Sequence, residues 1–206
     1  NKIFFICRSG MRSLHAGNFL SEDFITNEIF NVKNESLLLQ SKLIDKDIHA
    51  DVLIALAGVS LNAGLKMIQR DKIYICERSS AHISFQNDLM MSEYKDQNKK
   101  KKYITNKWFI ENEMKEYENA DMILVPSTFV KNTFDKSTIN KTMVLGFGAD
   151  IDNFYPVKSI EKSKKYFDIL FIGQKSLRKG LHYLIDAFHK FKHPNKRLHI
   201  IGSDTN

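Results

Sequence analysis

The chain has 206 residues, enough for one large domain or two small ones. Its 43% hydrophobic and 27% charged residues are typical of a globular protein and argue against a disordered or fibrous chain. The formal net charge of +7 is basic, and no apolar run approaches the roughly 20 residues that a membrane-spanning helix needs.

Both cysteines are predicted to be buried, reduced thiols. Cys7 and Cys76 each end a strand-like apolar run. The apolar segment at the N-terminus is too short for a secretory signal and lacks a small-residue cleavage site. These features predict a cytoplasmic protein, because disulfide bonds belong mainly to secreted ones.

Part of the positive charge comes from four consecutive lysines, Lys99, Lys100, Lys101 and Lys102. A solvated surface explains such a run, and so does a peripheral contact with an anionic membrane, worth about 1 kcal/mol per cation. Clustered lysines also bind nucleic acid, but no nucleic-acid-binding motif accompanies these. The first two interpretations stay open, and lipid ranks above nucleic acid.

A strand-like run at residues 3–6 is followed by a stretch of mixed periodicity, and strand-like and helix-like patterns then alternate over residues 51–145. Helices are predicted to start at Ser60 and Ser127, and the stretch 85–117 is predicted to be mostly helical, with Trp108 and Tyr117 packed inward. Short apolar runs with the content of parallel strands lie between them. The predicted strands are residues 3–6, 51–57, 72–76, 120–125 and 142–145.

Polar residues follow two of these strands, where the carboxyl edge of the sheet is expected. Gly10 lies in a basic loop after the first strand, and Arg78, Ser79, Ser80 and His82 follow the third. Ligands of open α/β folds bind at this edge, so all five are candidate site residues. His82 could contact a substrate hydroxyl or a sugar; a helix-start or packing role is the alternative.

A second strand–helix–strand series begins at residue 167. Residues 167–172 are predicted to be a buried parallel strand, apolar residues at helical spacing predict a helix over 181–191, and a second strand follows at 198–201.

The loop between that strand and helix begins at Gly173 and Gln174 and contains the adjacent cations Arg178 and Lys179. A glycine, two cations and a helix N-terminus together suit a phosphate or diphosphate. An ordinary turn with two solvated cations is the alternative. The loop has neither the dinucleotide-binding nor the P-loop glycine pattern.

Alternating strands and helices predict an α/β protein with parallel sheets. A turn-rich connector at 146–156 and a charged linker separate the two series. We therefore expect two Rossmann-like domains, residues 1–156 and 157–206, with a cleft between them. Two strands and one helix cannot cover both faces of a sheet, so the second domain is expected to be incomplete in this chain.

Five segments carry a resemblance to a known family. They are residues 77–83 (ERSSAHI), 120–127 (ADMILVPS), 146–156 (GFGADIDNFYP), 171–180 (FIGQKSLRKG) and the helix that follows. In this order they resemble the retaining nucleotide-sugar glycosyltransferases of the two-Rossmann (GT-B) type, in the group 1 or family 4 class. The resemblance covers about residues 51–202.

In that family the second domain binds the donor's diphosphate. The resemblance implies that Lys179, with Arg178, neutralises the leaving diphosphate, in a loop that includes Gly173 and Gln174. Gln174 stands where the family commonly has an arginine. The family's E-x7-E element, which contacts the donor sugar, would lie beyond residue 206.

The first domain of the family holds the acceptor and a histidine near the transferred sugar. The resemblance implies that His82 is that histidine, here the candidate catalytic residue. Gly10, Arg78, Ser79 and Ser80 are then candidate acceptor-side or sugar-side residues.

Asp150-Ile151-Asp152 resembles the D-x-D metal site of the other glycosyltransferase fold. It lies in the connector, where the GT-B family has the same pattern without metal. The resemblance therefore implies no metal and no cofactor, with a nucleotide diphosphate sugar as co-substrate.

The expected function is transfer of a sugar from that donor to the hydroxyl of a sugar or lipid-linked acceptor, in cell-surface glycoconjugate or polysaccharide synthesis. Two alternatives stay open. The chain could be a non-catalytic nucleotide- or anion-binding module, or an interaction protein that binds membrane or nucleic acid through the lysine run.

Overall fold

The computed structural model describes residues 2–7, 25–31, 49–98, 105–156 and 165–204, and of the first two ranges only the backbone. Gly10 and the lysine run at 99–102 lie outside these residues. The predictions that concern them stay predictions.

The chain divides into two compact units. The first comprises Asn1–Leu89 and Tyr103–Phe147, and the second comprises Met90–Lys102 and Gly148–Asn206. The expected pair of Rossmann-like domains with a boundary at residue 156 stays a prediction.

The first unit is built on a six-stranded sheet in the order β2-β1-β3-β4-β5-β6. All five pairs of neighbouring strands are parallel, which confirms the predicted α/β class with a parallel sheet. The strands are β1 (Lys2–Cys7), β2 (Ile25–Asn31), β3 (Val52–Leu56), β4 (Ile73–Glu77), β5 (Met122–Val125) and β6 (Thr142–Val144).

Helices alternate with the strands from β3 onward. The helices are α1 (Leu61–Gln69), α2 (Ile83–Asp96), α3 (Lys107–Asn119) and the short α4 (Thr128–Lys131). Three of them begin where a polar residue precedes the helical pattern. Asn106 caps α3 by accepting a hydrogen bond from the N–H of Trp108 at 3.0 Å, and Ser127 caps α4 by accepting one from Val130 at 3.3 Å. Ser60 precedes α1 without a side-chain cap of its own.

The core of the first unit lies where the sheet meets the helices. Alternate residues of β3, β4 and β5 are buried, as the two-residue period of a strand requires. The buried cluster consists of Leu53, Ala55, Ala63, Met67, Tyr74, Cys76, Ile83, Tyr117, Ala120, Ile123, Val125, Val130 and Phe134.

The structure decides three of the predictions about single residues. Cys76 is a buried free thiol, and Tyr117 packs inward, both as predicted. Trp108 was predicted to do the same, but it lies in the first turn of α3 with 42% of its surface exposed. That prediction is wrong.

The second unit contains the parallel strands β7 (Phe167–Ile172) and β8 (Lys196–Ile201), joined by helix α5 (Leu181–Lys190). The strand–helix–strand pattern predicted for this region is therefore confirmed. The prediction that its first strand is buried is wrong for the described chain, in which Leu170 is 56% and Ile172 is 72% exposed. Among the described residues no helix combines the length and the apolar character that a membrane crossing requires.

Candidate functional site

The loop between β4 and α2 carries four of the predicted site residues, Arg78, Ser79, Ser80 and His82. It leaves the carboxyl end of β4 at Glu77 and reaches α2 at Ile83. The loop thus lies at the edge of the parallel sheet where the strand pattern predicted it.

The guanidinium of Arg78 is largely buried and contacts other residues of the protein. Its Nη1 lies 2.8 Å from Oε1 of Glu113, and only 12% and 6% of the two side chains are exposed. Its Nε donates to the carbonyl oxygen of Ala81 at 3.0 Å, and its Nη2 donates to Oε1 of Gln86 at 3.2 Å. All three guanidinium nitrogens therefore have partners in the protein, and these contacts hold the loop.

The two serines of the loop are half-buried. The hydroxyl of Ser80 donates to Oε1 of Gln86 at 3.0 Å, the same oxygen that receives Nη2 of Arg78. Ser80 therefore belongs to the hydrogen-bonded frame of the loop.

His82 is 8% exposed, and its ring packs against those of Tyr117 and Phe134 at 5.0 Å between centroids. Its backbone N–H donates to Oγ1 of Thr133 at 2.9 Å, and its Nδ1 accepts from the N–H of Ser84 at 3.3 Å. A neutral ring that accepts at Nδ1 carries its proton on Nε2.

The surroundings of His82 favour this neutral form. Burial lowers the pKa of the imidazole below its usual range; the Asp135 carboxylate acts in the opposite direction and the Arg78 cation adds to the lowering.

Two carboxylates of α3, Glu113 and Glu116, lie at the same sheet edge and are buried. One oxygen of Glu116 accepts from the N–H of Ser60 at 2.6 Å, and the other accepts from the N–H of Gly58. The hydroxyl of Ser60 also donates to Glu116, at 3.3 Å. Burial raises the pKa of Glu116 to about 7, although its backbone hydrogen bonds to Gly58 and Ser60 lower it.

Glu113 binds the loop between β4 and α2 through Arg78. The hydroxyl of Tyr117, one helical turn away, donates to Oε1 of Glu113, the oxygen that also pairs with Arg78. A β-carbon placed on Gly58 would lie 3.3 Å from the other oxygen. Burial raises the pKa of Glu113, whereas the Arg78 cation and the Tyr117 hydrogen bond lower it.

The loop after β7 in the second unit contains the predicted diphosphate-binding residues. Its first part is joined to the end of β8: the N–H of Gly173 donates to the Ile201 carbonyl at 2.9 Å, and Nζ of Lys175 lies 3.1 Å from Oδ1 of Asp204. Gly202 has a φ of +150°, and a β-carbon there would lie 2.6 Å from the carbonyl carbon of Gly173. The ends of the two strands therefore pack closely enough to require glycine.

The second part of this loop presents the cations. Arg178 and Lys179 lie in a 3₁₀ turn, Leu177–Lys179, directly before Gly180, which has a left-handed φ of +67° and precedes α5. Both cations are exposed, as is Gln174. Within the described part of the chain, neither Arg178 nor Lys179 has an ion pair or a side-chain hydrogen bond. Two free positive charges thus lie beside a helix N-terminus, the arrangement that binds anions.

Asp150, the first carboxylate of the D-x-D-like motif, stabilises its own turn. It accepts from the backbone N–H of Asn153 at 3.1 Å and from the side-chain amide of Asn153 at 2.8 Å. The described residues contain no group of three histidine, cysteine or carboxylate side chains that could hold a metal ion.

Glu113 and Glu116 are the site residues that the sequence did not single out. They share a face of α3 with Tyr117, at spacings of three and four residues. Carboxylates on the apolar face of an amphipathic helix are a signal for buried acids, but the signal does not name their partners.

The chain matches no protein-family profile and no curated protein. Assignment to a family therefore depends on the sequence motifs alone.

Proposed function

We propose that this chain belongs to a glycosyltransferase that moves a sugar from a nucleotide diphosphate sugar to an acceptor hydroxyl. The observation that carries the proposal is the pair of exposed cations, Arg178 and Lys179, between β7 and the first turn of α5, which have no ion-pair partner among the residues that the structure describes. The order of motifs that resembles the group 1 GT-B glycosyltransferases supports it.

In the proposed reaction the bond between the sugar and the diphosphate breaks, and a bond forms between the sugar and the acceptor oxygen. The acceptor's proton passes to the departing diphosphate, on which negative charge grows as the bond breaks. Lys179 and Arg178 stabilise that charge together with the N–H groups at the start of α5. Charges and dipoles that are already oriented require no reorganisation as the bond breaks, which is why they lower the barrier. The reaction needs no metal and no cofactor, and retention of configuration follows from the resemblance.

His82 takes the role of a neutral hydrogen-bond donor to a sugar oxygen in this proposal. Its lowered pKa and its accepting Nδ1 support that role over general-base catalysis. Ser79 and Gly10 stay candidate acceptor-side residues. Arg78 and Ser80 contribute indirectly, because their side chains hold the loop that carries His82.

Binding of nucleotides tests the proposal first. UDP, GDP and their sugar conjugates are titrated against the protein while thermal unfolding is followed, since a ligand at 100 times its Kd adds about 2.7 kcal/mol of stability. Lys179→Ala is expected to weaken binding at least tenfold and to lower sugar transfer by orders of magnitude. Lys190→Ala, an exposed lysine in the last turn of α5, is the matched control.

Wild-type affinity and turnover in Lys179→Ala would overturn the role of this loop. Nucleotide binding without transfer to any acceptor would favour the non-catalytic binding module. Binding to anionic vesicles with no response to nucleotides would favour an interaction protein, and the lysines at 99–102 would then be the residues to replace.

A further inference from the structure

A buried ion pair connects α3 to the loop that follows β4. Glu113 and Arg78 are 35 positions apart in the sequence, yet their side chains meet at 2.8 Å with little exposure of either. Removing two charges from water costs free energy, and a buried pair returns it only when the remaining donors and acceptors are also satisfied. Here each guanidinium nitrogen of Arg78 has a partner, and two of these partners, Ala81 and Gln86, lie on either side of His82.

The guanidinium of Arg78 reaches both ends of the segment that carries His82. One nitrogen binds the carbonyl of Ala81, the residue immediately before His82, and another binds Gln86, in the first turn of α2. The backbone N–H of Gln86 in turn donates to the His82 carbonyl at 2.9 Å. Arg78 therefore restrains residues 79–86 from within the loop, but only while its own position is held.

Glu113 provides that anchor from a different element. It is placed by α3 and by the hydroxyl of Tyr117. The ring of Tyr117 also packs on the imidazole of His82, at 5.0 Å between centroids. One turn of α3 thus contacts His82 directly through Tyr117 and indirectly through Glu113 and Arg78.

We propose that Glu113 is a positioning residue: through Arg78 it holds residues 79–82 in one conformation and so determines where the His82 side chain lies. Its consequence for catalysis rests on the proposed function, whereas its consequence for the loop does not. The residue touches no reacting atom in this account and acts only through Arg78.

Hydrogen exchange of backbone amides measures how often the loop opens, and it does not depend on catalysis. The amides of His82, Ser84 and Gln86 are the probes, because each donates to a partner that depends on the loop conformation. In Glu113→Ala these amides are expected to exchange at least tenfold faster than in the wild type. The amides of β3 and α1 are the internal reference.

A double variant separates the loss of the loop contact from a general loss of folding. Glu113→Ala leaves the Arg78 cation buried without its partner, which is strongly destabilising, whereas Arg78→Met with Glu113→Leu removes both charges and keeps apolar volume. The double variant is expected to fold and still to lose the tether to Ala81. Met67→Ala, which removes a buried side chain of α1 away from this loop, is the control for a general loss of stability.

Fast exchange confined to residues 79–86 in the folded double variant supports the proposal. Wild-type protection of those amides overturns it, and so does a uniform rise in exchange that also includes β3 and α1, because the pair would then contribute only global stability.

Kinetics separates the two proposals. If the chain transfers sugar, the double variant should lose at least tenfold in kcat with the KM for the donor changed less than twofold, since the diphosphate loop is on other elements. Local loss of protection, together with no sugar transfer by a wild-type protein whose second domain is complete, would support the positioning role and overturn the proposed function. Transfer unaffected by a disordered loop would overturn the positioning role instead.

Discussion

The carboxylate of Glu116 accepts a hydrogen bond from the backbone N–H of Ser60 at 2.6 Å, across 56 positions of sequence. Ser60 is the residue before helix α1, and its N–H and that of Gly58 are among those that a bound anion would use. The protein's own carboxylate occupies this position. The turn between β3 and α1 is therefore held to α3 by this carboxylate, whereas among the described residues Arg178 and Lys179 of the loop after β7 have no ion-pair partner.

The burial of Glu116 predicts a specific dependence of stability on pH. The pKa rises from 4.5 in the unfolded chain to about 7 in the folded one, so between these values the native state holds a proton that the unfolded state has lost. The contribution of Glu116 to the free energy of unfolding is fully present below about pH 4.5. It falls by about 3 kcal/mol in total as the pH rises from there through 7.

Urea unfolding between pH 5 and pH 8 checks this prediction by comparing the wild type with Glu116→Gln. The comparison is needed because His82, whose pKa is lowered, contributes a pH dependence of opposite sign. In Glu116→Gln the free energy of unfolding should fall less between pH 5 and pH 8 than in the wild type, because the contribution of Glu116 is absent. Parallel pH profiles for the two proteins would refute the assignment.

Gly64 is predicted to stabilise the protein better than alanine would, although it lies inside helix α1. A β-carbon there would lie 2.6 Å from Cδ1 of the Tyr74 ring, which is fully buried and whose hydroxyl bonds Ser60 at 2.7 Å. Alanine stabilises a helix by about 1 kcal/mol relative to glycine. Overpacking against the buried ring, however, costs about 1–3 kcal/mol. Gly64→Ala should therefore lower the free energy of unfolding by denaturant.

The exposed Asn62 in the same helix supplies the control, because Asn62→Ala adds no atom to the core and should change stability by less than about 0.5 kcal/mol. A Gly64→Ala variant more stable than the wild type would mean that the Tyr74 ring moves freely.

Gly202 is predicted to hold the ends of β7 and β8 together. In Gly202→Ala the new methyl would meet the backbone of Gly173, and the residue would keep a φ that side chains rarely adopt. We expect a loss of about 2 kcal/mol or more in the free energy of unfolding and, if the adjoining loop binds a nucleotide as proposed, weaker binding. Thermal unfolding and nucleotide titration of the same variant measure both effects.

The matched substitution is Gly148→Ala, since a β-carbon at Gly148 has no atom within 4 Å. It should leave both stability and binding unchanged. Equal behaviour of the two variants would exclude a special role for Gly202.

Lys141 is predicted to stabilise the end of α3. Its ammonium donates to the carbonyl oxygens of Glu118 at 2.7 Å and Ala120 at 2.8 Å, which the helix itself leaves without partners. Lys141→Met should cost about 1 kcal/mol in chemical denaturation. Lys115→Met, at an exposed position of the same helix, should cost less; an equal cost would show that lost charge rather than capping is responsible.

The sequence alone was sufficient for the class of the fold and for the place of the polar loops. Apolar runs of strand length alternating with helical periods specify a parallel α/β sheet, because each pattern reflects contacts within a few residues. The same local logic correctly placed Arg78 and His82 after a strand, and Arg178 and Lys179 before a helix.

What only the tertiary structure decided is which side chains meet. The sequence placed Arg78 after a strand, but only the packing of α3 shows that Glu113 pairs with it. Trp108 was predicted to be internal, but the structure leaves it exposed. Glu113 and Glu116 carry no local pattern that names Arg78, Gly58 or Ser60 as partners. Such pairs form across dozens of residues, and they depend on how a helix rests on the sheet, which no short-range period encodes.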